Sequence, residues 1–379
     1  MFSLSLPKYF SFLMSTQSLP LVKFAPKGAD SFYDNVKTRV NEYFAQNGIS
    51  KHGNLKMYIK TAALLCIYFV PYALIVSGLA SVNIVLFYAL WLVMGIGLAS
   101  LGMSVMHDSN HEAYSDNNFV NTLFGGTLNI LGGYSRNWRM QHNILHHTYT
   151  NVDGLDEDIE AGILLRMSPN KKRYGIHRYQ HLYAWLLYGI MNIYWVTIKD
   201  YKGLIKYHKT GLLKKEKVSF GRALAELTFY KLVFFGYVVV LPLLFSGMAW
   251  QHVVLGFVLM QMLAGLVLAC VFQLAHVMHT SDYAEPDEMN KMENSWAIHQ
   301  LLNTANFSPR STIMSWFIGG LNYQIEHHLF PHICHVHYPQ LSKIVAQTAR
   351  EHNLPYNVQP TFVEALLVHA RMLRDLGRK

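Results

Sequence analysis

The sequence predicts an all-α integral membrane protein, with four transmembrane helices in two hairpins and a helical cap on the cytoplasmic side. Only 15% of its 379 residues are charged and 51% are hydrophobic, whereas a soluble domain carries about 25% charged residues. The charged residues are also unevenly placed, because two long stretches have none. Both observations favour a chain that lies partly within a lipid bilayer.

The two uncharged stretches predict the hairpins. Between Lys60 and His107 there are 46 residues without Lys, Arg, Asp or Glu, and between Lys231 and Asp282 there are 50. A bilayer core is crossed by about 20 apolar helical residues, so each stretch is long enough for two spans and a turn. The predicted spans are 61–80, 84–106, 229–247 and 253–275. They belong to a main domain at 61–345, preceded by a cytoplasmic lead-in at 1–60 with a helix near Ser31–Gln46 and followed by a helical tail at 346–379.

The positive charges predict the orientation. All 32 Lys and Arg residues lie in the segments 1–60, 107–231 and 282–379, and the two hairpin tips carry none. Loops rich in Lys and Arg stay in the cytoplasm, so both termini and the central loop are expected there. Two further apolar patches, 119–134 and 184–198, are expected to lie in the membrane interface. The net charge of +9 is dispersed. It suits anionic lipid headgroups, an acidic electron-donor protein or an anionic acyl carrier, and it argues against nucleic acid.

Histidines gather where the second and fourth spans emerge. The chain has 20 histidines but only three cysteines, so a metal site would use imidazole and carboxylate ligands. Residues at i, i+3 and i+4 share a helix face, and the hairpins deliver all groups to one side of the membrane. One tetrahedral zinc needs four ligands, so eight or more imidazoles indicate two metals, although spacing does not choose between iron, copper and zinc. The groups are His107 and His111; His142, His146 and His147; His276 and His279; and Gln324, His327 and His328.

Three of these groups resemble the histidine boxes of membrane fatty-acid desaturases. The boxes are His107-Asp-Ser-Asn-His111, His142-Asn-Ile-Leu-His146-His147 and Gln324-Ile-Glu-His327-His328. The neighbouring sequence matches too, including Trp138-Arg139 before the second box and Gly319-Gly320-Leu321-Asn322 before the third. Glutamine as the first residue of the third box resembles the front-end subgroup, which includes linoleoyl-CoA (delta-6-type) desaturases.

The resemblance implies roles for individual residues. It implies two iron ions and a cis double bond made with O2, with Gln324 reaching metal only weakly or through water. His279 is an open ninth ligand. Asp108, Asp156 and Glu326 are expected to accept hydrogen bonds from the ligand rings, and Trp138, Trp316 and Tyr323 are candidate walls of an apolar substrate tunnel. The implied iron ligands are His107, His111, His142, His146, His147, His276, His327 and His328.

The remaining expectations concern partners and alternatives. The chain has no His-Pro-Gly-Gly haem motif, so we expect a separate electron donor, either a ferredoxin or a cytochrome. The fatty-acyl substrate could be carried by CoA, by a carrier protein or by a lipid, and the bacterial inner membrane is the expected location. Hydroxylases and ketolases share such boxes, and a histidine-rich metal transporter is a more distant alternative. Transporters place their ligands near the bilayer midplane, whereas these histidines lie at the ends of the spans.

Overall fold

The computed structural model describes residues 22–25 and 31–379. Part of the predicted lead-in, residues 1–21 and 26–30, therefore lies outside the described residues. The predicted helix near Ser31–Gln46 is confirmed as α1, Ser31–Asn47. The remaining helices are α2 (Leu55–Val76), α3 (Ile84–Asn110), α4 (Asn118–Gly125), α5 (Thr127–Ile130), α6 (135–149), α7 (180–209), α8 (Phe220–Phe245), α9 (Trp250–His276), α10 (Trp296–Asn303), α11 (Thr312–Phe317), α12 (Gln324–Leu329), α13 (Tyr338–Glu351) and α14 (Phe362–Leu376).

Within the described residues, four helices are long and apolar enough to cross a membrane, namely α2, α3, α8 and α9. They confirm the predicted all-α membrane fold with four spans. Helices α2 and α8 begin earlier than predicted, at Leu55 and Phe220, because a helix can continue beyond the lipid into a polar cap. Each hairpin is closed by a short turn. In the first, the Asn83 side chain accepts hydrogen bonds from the backbone N–H groups of Val85 and Leu86 and so starts α3.

Helix α7 contains the apolar patch 184–198 and packs along α9. Glycines allow this close approach: a Cβ added at Gly265 would lie 2.5 Å from the carbonyl oxygen of Gly189. The Asn192 amide donates to the Gln261 side chain across the same contact. A buried ion pair between Lys231 and Asp200, 2.7 Å apart, fastens α7 to α8.

The cap is built from both ends of the described chain. Buried residues of α1, such as Phe32 and Val36, pack against Leu341 and Val345 of α13 in one apolar cluster. A two-stranded parallel sheet joins β1 (Asn306–Phe307) to β2 (Val358–Gln359). The lead-in helix and the tail therefore pack together over the ends of the spans.

Candidate metal centre

Four parts of the chain bring the eight predicted ligands into one buried region. His107 and His276 lie at the ends of α3 and α9, and His111 directly follows α3. Helix α6 supplies three histidines of the second box, and α12 supplies two of the third. All eight side chains are at most 8% exposed. The predicted convergence at one end of the spans is therefore present in the fold.

Irregular helical turns occur at the first two histidine boxes. A π-helical turn at Gly102–Met106 immediately precedes His107, and α6 is π-helical over Arg139–His146. Wider turns of this kind recur at functional sites, and here they change the spacing of residues around the helix. The turn before the third box is equally specific. Gly319 has φ +63° and a Cβ there would lie 2.2 Å from the carbonyl oxygen of Met103, so this position accepts only glycine.

Seven of the eight histidines form two groups whose ring nitrogens lie within 4.8 Å of one another inside each group. His147 lies between the groups, close to His327 and His328. We call the first set group A and the second group B. Group A consists of His107, His111, His142 and His327, and group B consists of His146, His276 and His328.

The nitrogens of both groups fit metal binding. The Nε2 atoms of His111, His146, His276 and His328 are buried without a hydrogen-bond partner, which is costly unless something coordinates them. Other ring nitrogens approach each other closely. His142 Nε2 is 3.2 Å from the Nε2 atoms of both His107 and His147. Since a neutral imidazole offers one lone pair, these facing nitrogens suit a cation placed between them.

Outside the spans, the surroundings of most of the box histidines favour the neutral form of the imidazole ring. Burial lowers the pKa of His111, His142, His147, His327 and His328 well below the usual range, and neighbouring histidines lower it further. His146 differs. Burial also acts to lower its pKa, but the carboxylates of Asp156 and Asp158 outweigh burial and raise the value to about 9. Neutral imidazole is the form that binds metal, so the first five rings are already in that form, whereas His146 must release a proton when a metal binds.

Group B is held by oxygen atoms on the outer side of each ring. His146 Nδ1 is 3.1 Å from both oxygens of Asp156, one of the three carboxylates considered in the sequence analysis. His276 Nδ1 is 3.0 Å from the Asn303 carbonyl oxygen, and His328 Nδ1 is 2.7 Å from the Gln300 side-chain oxygen. When Nδ1–H donates outward, Nε2 is left as the inward-facing ligand atom.

Group A has a different surrounding. His327 Nδ1 is 3.2 Å from the Tyr338 hydroxyl, and His107 Nδ1 is 3.8 Å from Asp108, too far for a hydrogen bond. The Trp138 ring stacks on His142 with 4.4 Å between ring centroids. His107 and Trp138 also line a narrow, mostly apolar cavity that continues along α3 and α9. Its other walls are Leu98, Gly102, Met106, Leu128, Leu131, Gly133, Asn192, Trp195, Val196, Leu268 and Phe272.

Several residues predicted near the metals have other partners. Glu326 accepts hydrogen bonds from Asn306 and Tyr356 rather than from a ligand ring, and burial raises its pKa to about 7. Asp108 contacts chiefly His335, whose Nδ1 is 2.7 Å away. His279 has a side chain 45% exposed, pairs with Asp375 at 3.2 Å, and belongs to neither group.

Of the three residues predicted as tunnel walls, Trp138 lines the apolar cavity, whereas Trp316 and Tyr323 lie elsewhere. Trp316 lies beneath the Lys60 ammonium, 5.6 Å from the ring centroid, and Tyr323 donates to the Pro309 carbonyl. Neither lines the cavity. Gln324 is buried beside His276 and therefore lies next to group B. Its side-chain amide nitrogen has no hydrogen-bond partner among the described residues.

The sequence analysis did not identify three residues whose oxygen atoms face the outer nitrogens of ligand rings, namely Gln300, Asn303 and Tyr338. Gln300 and Asn303 lie three positions apart on α10, a spacing that places both on one helix face. No histidine lies between them, so only the tertiary packing of α10 against the boxes shows their role. Thr150 extends the network by donating to Gln300 at 2.8 Å.

The fold and site together define a four-span membrane protein with a buried polyhistidine centre at one end of its spans. Comparison with known proteins gives the particular family. Residues 83–360 match the fatty acid desaturase family, and the chain belongs to that family.

Curated relatives cover most of the chain. It is 37% identical over 360 residues to the sn-1 linoleoyl-lipid 6-desaturase of Synechocystis sp., spanning 94% of this chain and 98% of that protein. The enzyme of the same name from Arthrospira platensis is 36% identical, spanning 91% and 92%. The acyl-lipid (8-3)-desaturase of Physcomitrium patens is 36% identical, spanning 94% of this chain and 74% of its own length. The chain is therefore a fatty-acyl desaturase, an oxidoreductase related to front-end enzymes.

Proposed function

We propose that this enzyme uses two iron ions and O2 to introduce a cis double bond into the acyl chain of a membrane lipid, near the carboxyl end. The observation that carries the proposal is the division of seven buried histidines into two groups, each compact enough to hold one ion. Bound iron would supply the activation of O2 and the cleavage of two C–H bonds. Imidazole ligands suit iron, and they avoid the oxidation that thiolates undergo.

In this proposal the residues have separate tasks. Group A, His107, His111, His142 and His327, would hold one iron, and group B, His146, His276 and His328, would hold the other. His147 lies within reach of both. Gln324 lies close enough to group B to contact iron through water. Asp156, Gln300 and the Asn303 carbonyl orient the group B rings by accepting their outer protons.

The apolar cavity would place the acyl chain. Its wall includes the ligand His107 and the ring of Trp138, so a chain in the cavity runs directly beside group A. Free space in the cavity is about 30 Å³, so an acyl chain enters only as its walls move apart. The same walls exclude water from the reacting carbons, which protects the reaction from side products.

Substrate and donor are proposed from the relatives and the charge pattern. The curated relatives named above are acyl-lipid or linoleoyl-lipid desaturases, which favours a lipid-bound acyl chain over CoA or a carrier protein. Electrons would come from a separate ferredoxin or cytochrome. The distribution of Lys and Arg supports an orientation with the histidines and both termini in the cytoplasm. The membrane we propose is a bacterial inner membrane.

Expression in a host that lacks the activity tests the proposal. Wild-type protein should convert a supplied acyl precursor to an alkene, whereas His146→Ala and His327→Ala should have no detectable activity but normal membrane insertion, because each removes a ligand from one group. His352→Ala, which changes a histidine outside both groups, is the matched control and should keep full activity. A hydroxylated product would identify a hydroxylase instead, and desaturation at the normal rate by His146→Ala would overturn the assignment.

A further inference from the structure

A second candidate site lies in the cap, away from the histidine groups. Three arginines, Arg173, Arg178 and Arg378, line one cleft of about 390 Å³. Among the described residues, none of the three guanidinium groups forms an ion pair or hydrogen bond with a carboxylate. Like charges repel, so gathering three unpaired cations is unfavourable unless an anion joins them.

The cleft is built into the fold by tight packing. The carboxyl end of α14 packs on the turn that precedes α7, so closely that a Cβ at Gly377 would lie 2.0 Å from the His177 carbonyl oxygen. Buried Arg166 ties the same regions together, because its guanidinium donates to the carbonyl oxygens of Leu376, Lys171 and Pro169. This packing places the backbone of Arg378 beside the segment that carries Arg173 and Arg178, and the side chains of all three arginines are exposed to solvent.

An apolar stripe begins one helical turn beyond the cleft. Leu182, Leu186 and Ile190 lie four residues apart on α7, and they are 66%, 55% and 40% exposed. The opposite face of α7 is buried against α9, with Gly189 next to Met262. A helix that packs on a membrane span and exposes a row of leucine and isoleucine side chains faces lipid. Tyr179, immediately before α7, is also exposed, as is common for tyrosine at the membrane surface.

From this juxtaposition we propose that the cleft of Arg173, Arg178 and Arg378 binds the phosphate group of a membrane phospholipid whose acyl chains lie along the Leu182–Leu186–Ile190 stripe. Arginine is suited to phosphate because its planar fork donates two parallel hydrogen bonds. The stripe adds apolar contact that a free phosphate ion cannot use. The bound lipid would anchor the cap to the membrane surface, at a site separate from the acyl cavity beside His107.

Binding measurements on the purified full-length protein in detergent test the proposal. The probes are dioctanoyl phosphatidic acid, dioctanoylglycerol and inorganic phosphate, with affinity measured by native mass spectrometry. The triple variant Arg173→Gln, Arg178→Gln, Arg378→Gln should bind phosphatidic acid about a hundredfold more weakly, because each surface cation near an anionic lipid contributes about a fivefold gain in affinity. Dioctanoylglycerol should bind wild type and variant equally weakly.

Matched variants separate the cleft from overall charge and from folding. Lys214→Gln, Lys215→Gln, Arg350→Gln removes three exposed cations elsewhere and should bind phosphatidic acid as wild type does. Leu186→Gln should weaken phosphatidic acid binding and leave inorganic phosphate binding unchanged. Iron content should stay at the wild-type level in every variant, which shows that each has folded.

Three outcomes would overturn the proposal. The first is unchanged phosphatidic acid binding by the triple arginine variant. The second is inorganic phosphate binding as tightly as phosphatidic acid, which would make the cleft a site for the free ion. The third is a triple arginine variant that still binds phosphatidic acid but has a raised KM for the reduced electron donor. That result would make the cleft a docking surface for an acidic protein.

Discussion

The two histidine groups have similar ligands but different surroundings. In group B the outer nitrogen of each ring faces an oxygen, from Asp156, Asn303 or Gln300, at 2.7–3.1 Å. In group A only His327 has such a contact, with the Tyr338 hydroxyl at 3.2 Å, and two rings border the apolar cavity or the Trp138 face. The difference indicates that the two groups have different roles. Each ring of group B is oriented by a polar contact, whereas group A faces the space proposed for substrate.

Removing the oxygen that faces the outer nitrogen of a ligand ring should therefore weaken iron binding more in group B than in group A. Asp156→Asn removes the negative charge that faces His146 Nδ1 and should weaken iron binding by about 10- to 100-fold, as found for outer partners of metal ligands. Tyr338→Phe removes one neutral hydrogen bond in group A, for which we expect about fivefold or less. Competition with a chelator measures both. Equal losses in the two variants would contradict the proposed difference between the groups.

Changing the apolar side of group A should alter the product rather than the metal. Trp138→Leu removes the ring stacked on His142 and enlarges the cavity, so we expect about a tenfold loss of kcat/KM and new double-bond positions. Iron content should change little. Trp316→Leu is the matched control, because Trp316 lies outside the cavity wall. Gas chromatography of the lipids measures the products, and an unchanged single product from Trp138→Leu would exclude the cavity as the acyl site.

A smaller effect should come from a buried histidine that belongs to neither group. Burial lowers the pKa of His369 to about 4, while its Nδ1 contacts the Val277 carbonyl. The unfolded chain takes up this proton near pH 6.5 but the folded chain does not, so its contribution to stability is present above pH 6.5 and is lost as the pH falls towards 4.

Thermal unfolding in detergent at pH 7 and pH 5 measures this effect. The wild-type protein should lose about 2 kcal/mol of stability from this one group between the two values. His369→Gln should lose correspondingly less, and His352→Gln, a control at a histidine on the surface of the cap, should behave as wild type. Identical pH dependence in wild type and His369→Gln would show that His369 does not contribute.

The sequence predicted what depends on local pattern. The absence of charge located the four spans, and the i, i+4 spacing of His107 and His111 placed two ligands on one face. It did not predict partners that meet through tertiary packing. Gln300 and Tyr338 reach the centre only because α10 and α13 pack over the boxes, and Glu326, although inside the third box, turns towards Asn306 and Tyr356. Adjacency in a motif gives no direction for a side chain on a six-residue helix.

Metal analysis of protein purified without oxygen from iron-supplied cells tests the central claim most directly. Two separate histidine groups should give two iron ions per wild-type chain. The triple variant His146→Ala, His276→Ala, His328→Ala should keep about one ion in group A and lose desaturation completely. One ion per wild-type chain, or two ions in the variant that lacks group B, would contradict the account.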